Sequence, residues 1–152
     1  MNYQIRKAKS TDLPQILRLY AELQPLDQLI DASEAIAVFE KAITCGVVYF
    51  VADSGEQIVG SCYIAIIPNI TRQCSPIGFI ENVVVASDCQ RRGIGRKLMN
   101  AAIEHAMKQG CYKVTLQSGT KRDDAHKFYK SIGFDGDSKR AFEMRFKMGE
   151  EG

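Results

Sequence analysis

The sequence predicts an α/β protein, a central mixed and twisted sheet flanked by helices on both faces. Three observations carry this. Elements alternate in the order β-α-α-β-β-β-α-β-α-β along 152 residues. Short β-branched runs such as Val47–Ala52 and Phe79–Val85 stand between segments with helical spacing of apolar residues. One strand-helix-strand crossover, spanning 79 to 118, forces parallel pairing, while Val47–Ala52 and Ile58–Ile67 follow each other as an antiparallel hairpin. The length suits one domain, taken as residues 1–152, and 45% hydrophobic with 25% charged residues is ordinary globular composition.

Tyr3 to Ala8 opens as a strand. Ser10-Thr11-Asp12 supplies helix caps, and Leu13, Ile16, Leu17 and Tyr20 recur at helical spacing, with Pro14 tolerated in the first turn. Asp31 and Glu34 have the spacing of a capping box for a second helix that carries Ile36, Phe39 and Ile43 and stops at Gly46. Val47–Ala52, the turn Asp53-Ser54-Gly55-Glu56 and the strand Ile58–Ile67 form a hairpin, and 68–76 reads as a polar loop. The strand Phe79–Val85 leads to a helix over 93–109, with Ile94, Leu98, Ala101, Ala102 and His105 on one stripe and Gly110 at its end. Val114–Gln117, a helix over Asp123–Ser131 and a closing strand Phe142–Met148 complete the chain.

A net charge of +2 argues against nucleic acid as a partner, which calls for a basic stripe. The N-terminal residues lack a basic-then-apolar layout and no apolar run approaches the ~20 residues of a membrane helix, so the expected location is cytoplasmic, away from membranes. Five scattered cysteines then read as free thiols. With His105 and His126 on different helices and no C-x-x-C pair, no metal site is expected.

One stretch carries chemistry. After Phe79-Ile80-Glu81-Asn82-Val83-Val84-Val85 comes a short loop, then Gln90-Arg91-Arg92-Gly93-Ile94-Gly95-Arg96 opens the long helix. A helix start exposes unpaired N–H groups and about half a positive charge, which together attract anions. Gly93 and Gly95 remove side chains so that phosphate oxygens can approach, and Arg91, Arg92 and Arg96 add charge. The P-loop and the dinucleotide fingerprint are both excluded: Gly95 is followed by Arg96-Lys97-Leu98, and Leu98 stands where the third glycine would be.

Gln90-Arg91-Arg92-Gly93-Ile94-Gly95 resembles the Q/R-x-x-G-x-G/A signature of the GNAT superfamily of N-acetyltransferases, and it stands where that family has it, just after a hydrophobic strand. Ala125-His126-Lys127-Phe128-Tyr129-Lys130-Ser131-Ile132-Gly133-Phe134 resembles the family's A-x-x-F-Y-x-x-x-G-F segment, one helix and one strand later. The resemblance, which extends in element order over nearly the whole chain, implies an acetyl-coenzyme A-dependent N-acetyltransferase. It implies that the main chain of Val83, Val84 and Val85 holds the pantetheine arm. It also implies that the amides from Arg91 through Arg92, Gly93, Ile94 and Gly95 to Arg96 hold the diphosphate.

Tyr129 matches the family's proton donor to the leaving thiolate, whose ordinary pKa of about 8.5 lies near the phenol's value of about 10. Glu81 matches a position where several members carry an acidic residue, which makes it the candidate general base. An alkylammonium must lose a proton before it can attack, and alternation is expected to set Glu81 on one face with Val83 and Val85. The other reading of Glu81 is a structural ion pair with an arginine. At position 122, where many relatives have asparagine, this chain has Arg122, and Arg122-Asp123-Asp124-Ala125-His126-Lys127-Phe128-Tyr129 resembles a subset with R-x-D-A-H-x-F-Y, among them aminoalkylphosphonate acetyltransferases. Arg122 either contacts the cofactor's phosphate or caps its helix.

No cysteine has a neighbouring His or Asp motif, so direct transfer in a ternary complex is expected over an acetyl-cysteine intermediate. Three functions follow: acetylation of a small-molecule amine, the favoured reading given a 68–77 loop long enough to cover a pocket; acetylation of a protein or peptide; or a silent acetyl-coenzyme A sensor. A homodimer is the general expectation for such enzymes.

Overall fold

The computed structural model describes residues 2–147. The chain divides into two compact units, Met1–Leu116 and Gln117–Gly152. The first unit is built on five strands in the order β1-β2-β3-β4-β5: β1 Gln4–Lys7, β2 Val47–Asp53, β3 Ile58–Ile67, β4 Ile77–Val85 and β5 Lys113–Leu116. The first four pair antiparallel and β4 pairs with β5 in parallel, the mixed sheet that the crossover demands.

Helices α1 (Leu13–Leu23) and α2 (Ala32–Thr44) pack on one face, and α3 (Ile94–Lys108) packs on the other. On the first face Ile16 and Leu19 of α1 meet Val51, Ile58 and Val84, while Phe39 of α2 joins Leu13 and Ala35. On the second face α3 buries Ile94, Leu98, Met99, Ala102 and Ala106. Two strand glycines let α3 approach closely. A Cβ on Gly60 would lie 3.0 Å from Leu98 Cδ1, and one on Gly78 would lie 3.0 Å from Ile64 Cδ1 and 3.3 Å from Ala106 Cβ.

Three expectations are corrected. The Asp31–Glu34 capping box does not form, because the Asp31 carboxylate accepts the nearer Ser33 hydroxyl and gives α2 no side-chain cap. The 68–76 loop is not featureless: Thr71–Cys74 makes one turn in which Arg72, Gln73 and Cys74 take φ of 54°, 58° and 59°. The closing strand is absent over 142–147, and Met148 lies outside the described residues. Phe142, Met144 and Phe146 alternate as a strand face would, yet they are 88%, 79% and 82% exposed and join no ladder. Alternation supplies a face; a strand also needs a hydrogen-bonding neighbour.

The second unit contains α4 (Asp123–Ile132). Its end explains the spacing of the Gly-Phe pair. Gly133 takes φ 116°, its N–H donates to Lys130 O (3.0 Å), and the Phe134 N–H donates to Tyr129 O (3.1 Å). This double closure is a Schellman motif, and it seats the Phe134 ring edge-on to Tyr129 at 6.2 Å.

Candidate active site

The sheet does not end evenly beside β4. β5 pairs only with residues 77–80, from Ile77↔Lys113 to Ile80↔Leu116. Residues 81–85 of β4 therefore have no strand on that side among the described residues, so main-chain groups along that edge lack a ladder partner, with Val85 O taken by the Gln90 side chain. The exposed edge includes Val83, Val84 and Val85, the residues expected to hold the cofactor's arm.

Opposite that open edge β4 contains a bulge. Val84 faces Ser61 and Glu81 faces Tyr63, so three steps along β4 match two along β3. The extra residue falls where Asn82 adopts φ 52°, a left-handed conformation that asparagine tolerates better than a branched residue. The bulge reverses the alternation and overturns the expected grouping of Glu81 with Val83 and Val85. Val85 faces Gly60 on the α3 side. Glu81 shares the α1/α2 side with Val84, which packs with Ile16 and Leu19.

From Val85 the chain passes through a 3-10 turn, Ser87–Cys89, into the start of α3. Ser87 N–H is held by the Glu22 carboxylate at 3.0 Å, and the Gln90 side-chain amide donates to Val85 O at 3.2 Å. Arg91 takes φ 60° and Gly93, at the N-cap, takes φ 78°. The first helical bond runs from Lys97 N–H to Gly93 O, so the amides before Lys97 have no carbonyl one turn back. A Cβ placed on Gly93 would meet nothing within 4 Å, which leaves open space directly over the cap. Positive φ with an open approach suits an anion cradle. Of the expected arginines, Arg92 folds back along the loop, donating to Asp88 O (3.0 Å) and Tyr3 Oη (3.4 Å). Its guanidinium braces the loop, and Arg91 and Arg92 are both exposed.

Glu81 is half-buried and makes no ion pair among the described residues, so the structural ion-pair reading has no support in the geometry. Its row across the sheet runs Tyr49↔Tyr63↔Glu81. The Tyr49 and Tyr63 rings lie 5.1 Å apart, and Phe39 packs on Tyr49 at 5.1 Å. Burial, then the Glu81 charge, pushes the Tyr63 phenol up; burial alone raises Tyr49. Tyr20 is raised further by burial, and Asn82 is its polar neighbour. None of these tyrosines was singled out as a site residue in the sequence, because the row exists only through strand register.

In the second unit Tyr129 is half-buried on α4 with its ring 5.3 Å from Phe128. Arg122 is exposed at the N-cap of α4, makes no side-chain cap hydrogen bond, and lines an open hollow of about 450 Å³ with Lys121, Asp123, Asp124 and Ala125. His126 serves the backbone, its Nε2 lying 2.7 Å from Gly119 O.

Three of the five thiols are raised by burial, while Cys45 and Cys74 are exposed. Burial pushes Cys62 up to about 12, with its Sγ against Leu98 O, and raises Cys89 and Cys111 as well. Among the described residues there is no group of three His, Cys, Asp or Glu side chains that could hold a metal, and no helix long and apolar enough to cross a membrane.

With this geometry in view, the comparisons converge. The family model described as the acetyltransferase (GNAT) family matches residues 13–134. Glucosamine 6-phosphate N-acetyltransferase of Trypanosoma brucei brucei is 29% identical over 150 residues, covering 97% of this chain and 96% of its own. A solved structure from Agrobacterium tumefaciens, assigned there as an acetyltransferase, is 39% identical with a TM-score of 0.89, covering 94% of this chain and 99% of that one. The aminoglycoside N-acetyltransferase AAC(6')-Iy, solved with coenzyme A, is 20% identical with a TM-score of 0.79, covering 96% and 95%, and shares the fold.

Proposed function

The chain belongs to the GNAT acetyltransferase family and is an acetyl-coenzyme A-dependent N-acetyltransferase; from there we propose that it acetylates a small primary amine by direct attack on the thioester in a ternary complex. One observation carries the cofactor side. The open edge of β4 at residues 81–85 runs straight into the uncapped start of α3. An extended, amide-bearing arm can pair with such an edge as an added strand, and a diphosphate suits the amides from Arg91 to Arg96.

Glu81 is the general base in this reading. It takes the ammonium proton, directly or through one water. The free amine then forms the N–C bond at the thioester carbonyl, and collapse of the tetrahedral intermediate breaks the C–S bond. The second proton of the amine nitrogen leaves through solvent, which restores the Tyr129 phenol. Tyr129 donates its phenolic proton to the departing thiolate; its role rests on the motif and on the way the Schellman closure holds its ring. Arg122 is assigned to the cofactor's phosphates on the same motif grounds. The unpaired carboxylate of Glu81 supports the base role, and the raised thiols support transfer without an acetyl-cysteine.

The small acceptor is supported by relatives that are named for small amines, glucosamine 6-phosphate and aminoglycosides. The test is thiol release from acetyl-coenzyme A against a panel of small amines and lysine-bearing peptides. Turnover with small amines at least about tenfold above the peptides is expected. Peptides as the better acceptors would overturn the reading.

A further inference from the structure

Around Glu81 the α1/α2 face of the sheet is aromatic. Among the described strand residues, the cations that register puts on that face are Arg6, beside Val51 and paired with Asp12 and Asp53, and Lys113, beside Ile77. Tyr63 stands beside Glu81 in register, Tyr49 follows 5.1 Å on, and both rings keep part of their surface exposed. Tyr20 comes from α1 with its hydroxyl enclosed and the Asn82 side chain as its polar neighbour. Phe39 closes the far side. The charged group that acts on these phenols is Glu81; the other contributors are the phenols themselves, the Asn82 amide and the Cys62 thiol, and no lysine or arginine is among them.

We propose that this face is the acceptor subsite and that it selects an organic ammonium bearing no phosphate or carboxylate of its own. The proposal rests on the reading of Glu81 as the base. Its physics is simple. An ammonium gains from the ring faces and from a carboxylate that has no other ion-pair partner. The same carboxylate then receives its proton. A phosphate brought beside Glu81 would meet its carboxylate and the phenols, with no lysine or arginine among the groups that act on those phenols to offset its desolvation. The chain therefore parts company with a phosphorylated amino sugar as its preferred acceptor, although relatives are named for one. Tyr63, next to the carboxylate, is the specificity-determining residue.

The test uses the full chain with 2-phenylethylamine, glucosamine and glucosamine 6-phosphate as acceptors. The expected order of kcat/KM is phenylethylamine, then glucosamine, then the phosphate ester. Tyr63→Leu should raise the amine KM about fivefold, in line with a single cation–π contact, and leave the KM for acetyl-coenzyme A alone. Tyr63→Phe, which keeps the ring, should recover most of that loss. Phenyltrimethylammonium, which cannot be acetylated, should compete with the amine and perturb tyrosine fluorescence, readable because the chain has six Tyr and no Trp.

Glucosamine 6-phosphate outperforming glucosamine would overturn the proposal, as would equal effects of Leu and Phe at position 63. If no amine is acetylated, the reaction reading fails, and phenyltrimethylammonium binding decides the subsite separately: binding weakened by Tyr63→Leu sustains it, and no binding removes it.

Discussion

Gly93→Ala separates what a helix cap needs from what a diphosphate needs. Gly93 sits at φ 78°, where a residue with a Cβ pays about 1–2 kcal/mol. Reduced freedom of the unfolded chain returns about 0.4–1 kcal/mol, so the net loss is about 1 kcal/mol. For a protein of this size that lowers Tm by about 2–4 °C. No steric cost is added, because the new Cβ meets nothing within 4 Å. Gly55 provides the control: it lies in the β2–β3 turn at φ 90°, also with nothing within 4 Å of its Cβ position. Gly55→Ala should therefore cost the same stability. Calorimetric titration with coenzyme A distinguishes the two, since the open space over Gly93 is where phosphate oxygens are assigned. Gly93→Ala should weaken binding about tenfold or more, the scale of one lost charge-assisted hydrogen bond, while Gly55→Ala leaves it unchanged. Equal affinities in the two variants would refute the cradle.

Glu81→Gln should lower kcat by about 10²-fold or more with coenzyme A affinity intact, as measured by thiol release and titration. Tyr129→Phe should likewise lower kcat by about 10²-fold while retaining cofactor binding. Acid stability follows from Asp12, which is 6% exposed and is held below the usual carboxylate range chiefly by its hydrogen bonds to Arg6, at 2.7 and 3.0 Å. A depressed folded value means that this stabilisation is present above an unfolded pKa of about 4 and is lost as pH falls through the folded one. Denaturant midpoints across pH 2–6 should show that loss, and Asp12→Asn should remove about 2 kcal/mol at pH 7 and flatten the acid dependence. Alkaline absorbance titration should find Tyr20, Tyr49 and Tyr63 ionising above the ordinary phenol range, and Phe replacements should each delete one late-titrating group.

The sheet and its helices were legible because their signals are local. Ile58–Ile67 reads as a strand from composition and appears with those same bounds, and Gly93 and Gly133 mark a helix start and a helix end that both take positive φ. What could not be read depends on pairing. Glu81 changes sides relative to Val83 and Val85 through one left-handed residue, Asn82, and nothing in Glu81-Asn82-Val83 announces a bulge. The Tyr49–Tyr63–Glu81 row joins residues far apart in sequence through register alone. Ser33 took the Asp31 carboxylate that the capping box required, a competition between donors two and three residues away. The open β4 edge entered only through the family resemblance, since its extent follows from where β5 stops at Leu116.

Calorimetric titration of the unmodified protein with coenzyme A beside pantetheine, which lacks the diphosphate, bears most directly on how the cofactor is held. Saturable binding of coenzyme A is predicted, with pantetheine weaker by about 100-fold or more, since the amides of residues 91–96 would have no anion to hold. Equal affinity for the two, or no binding of coenzyme A, would contradict the assignment.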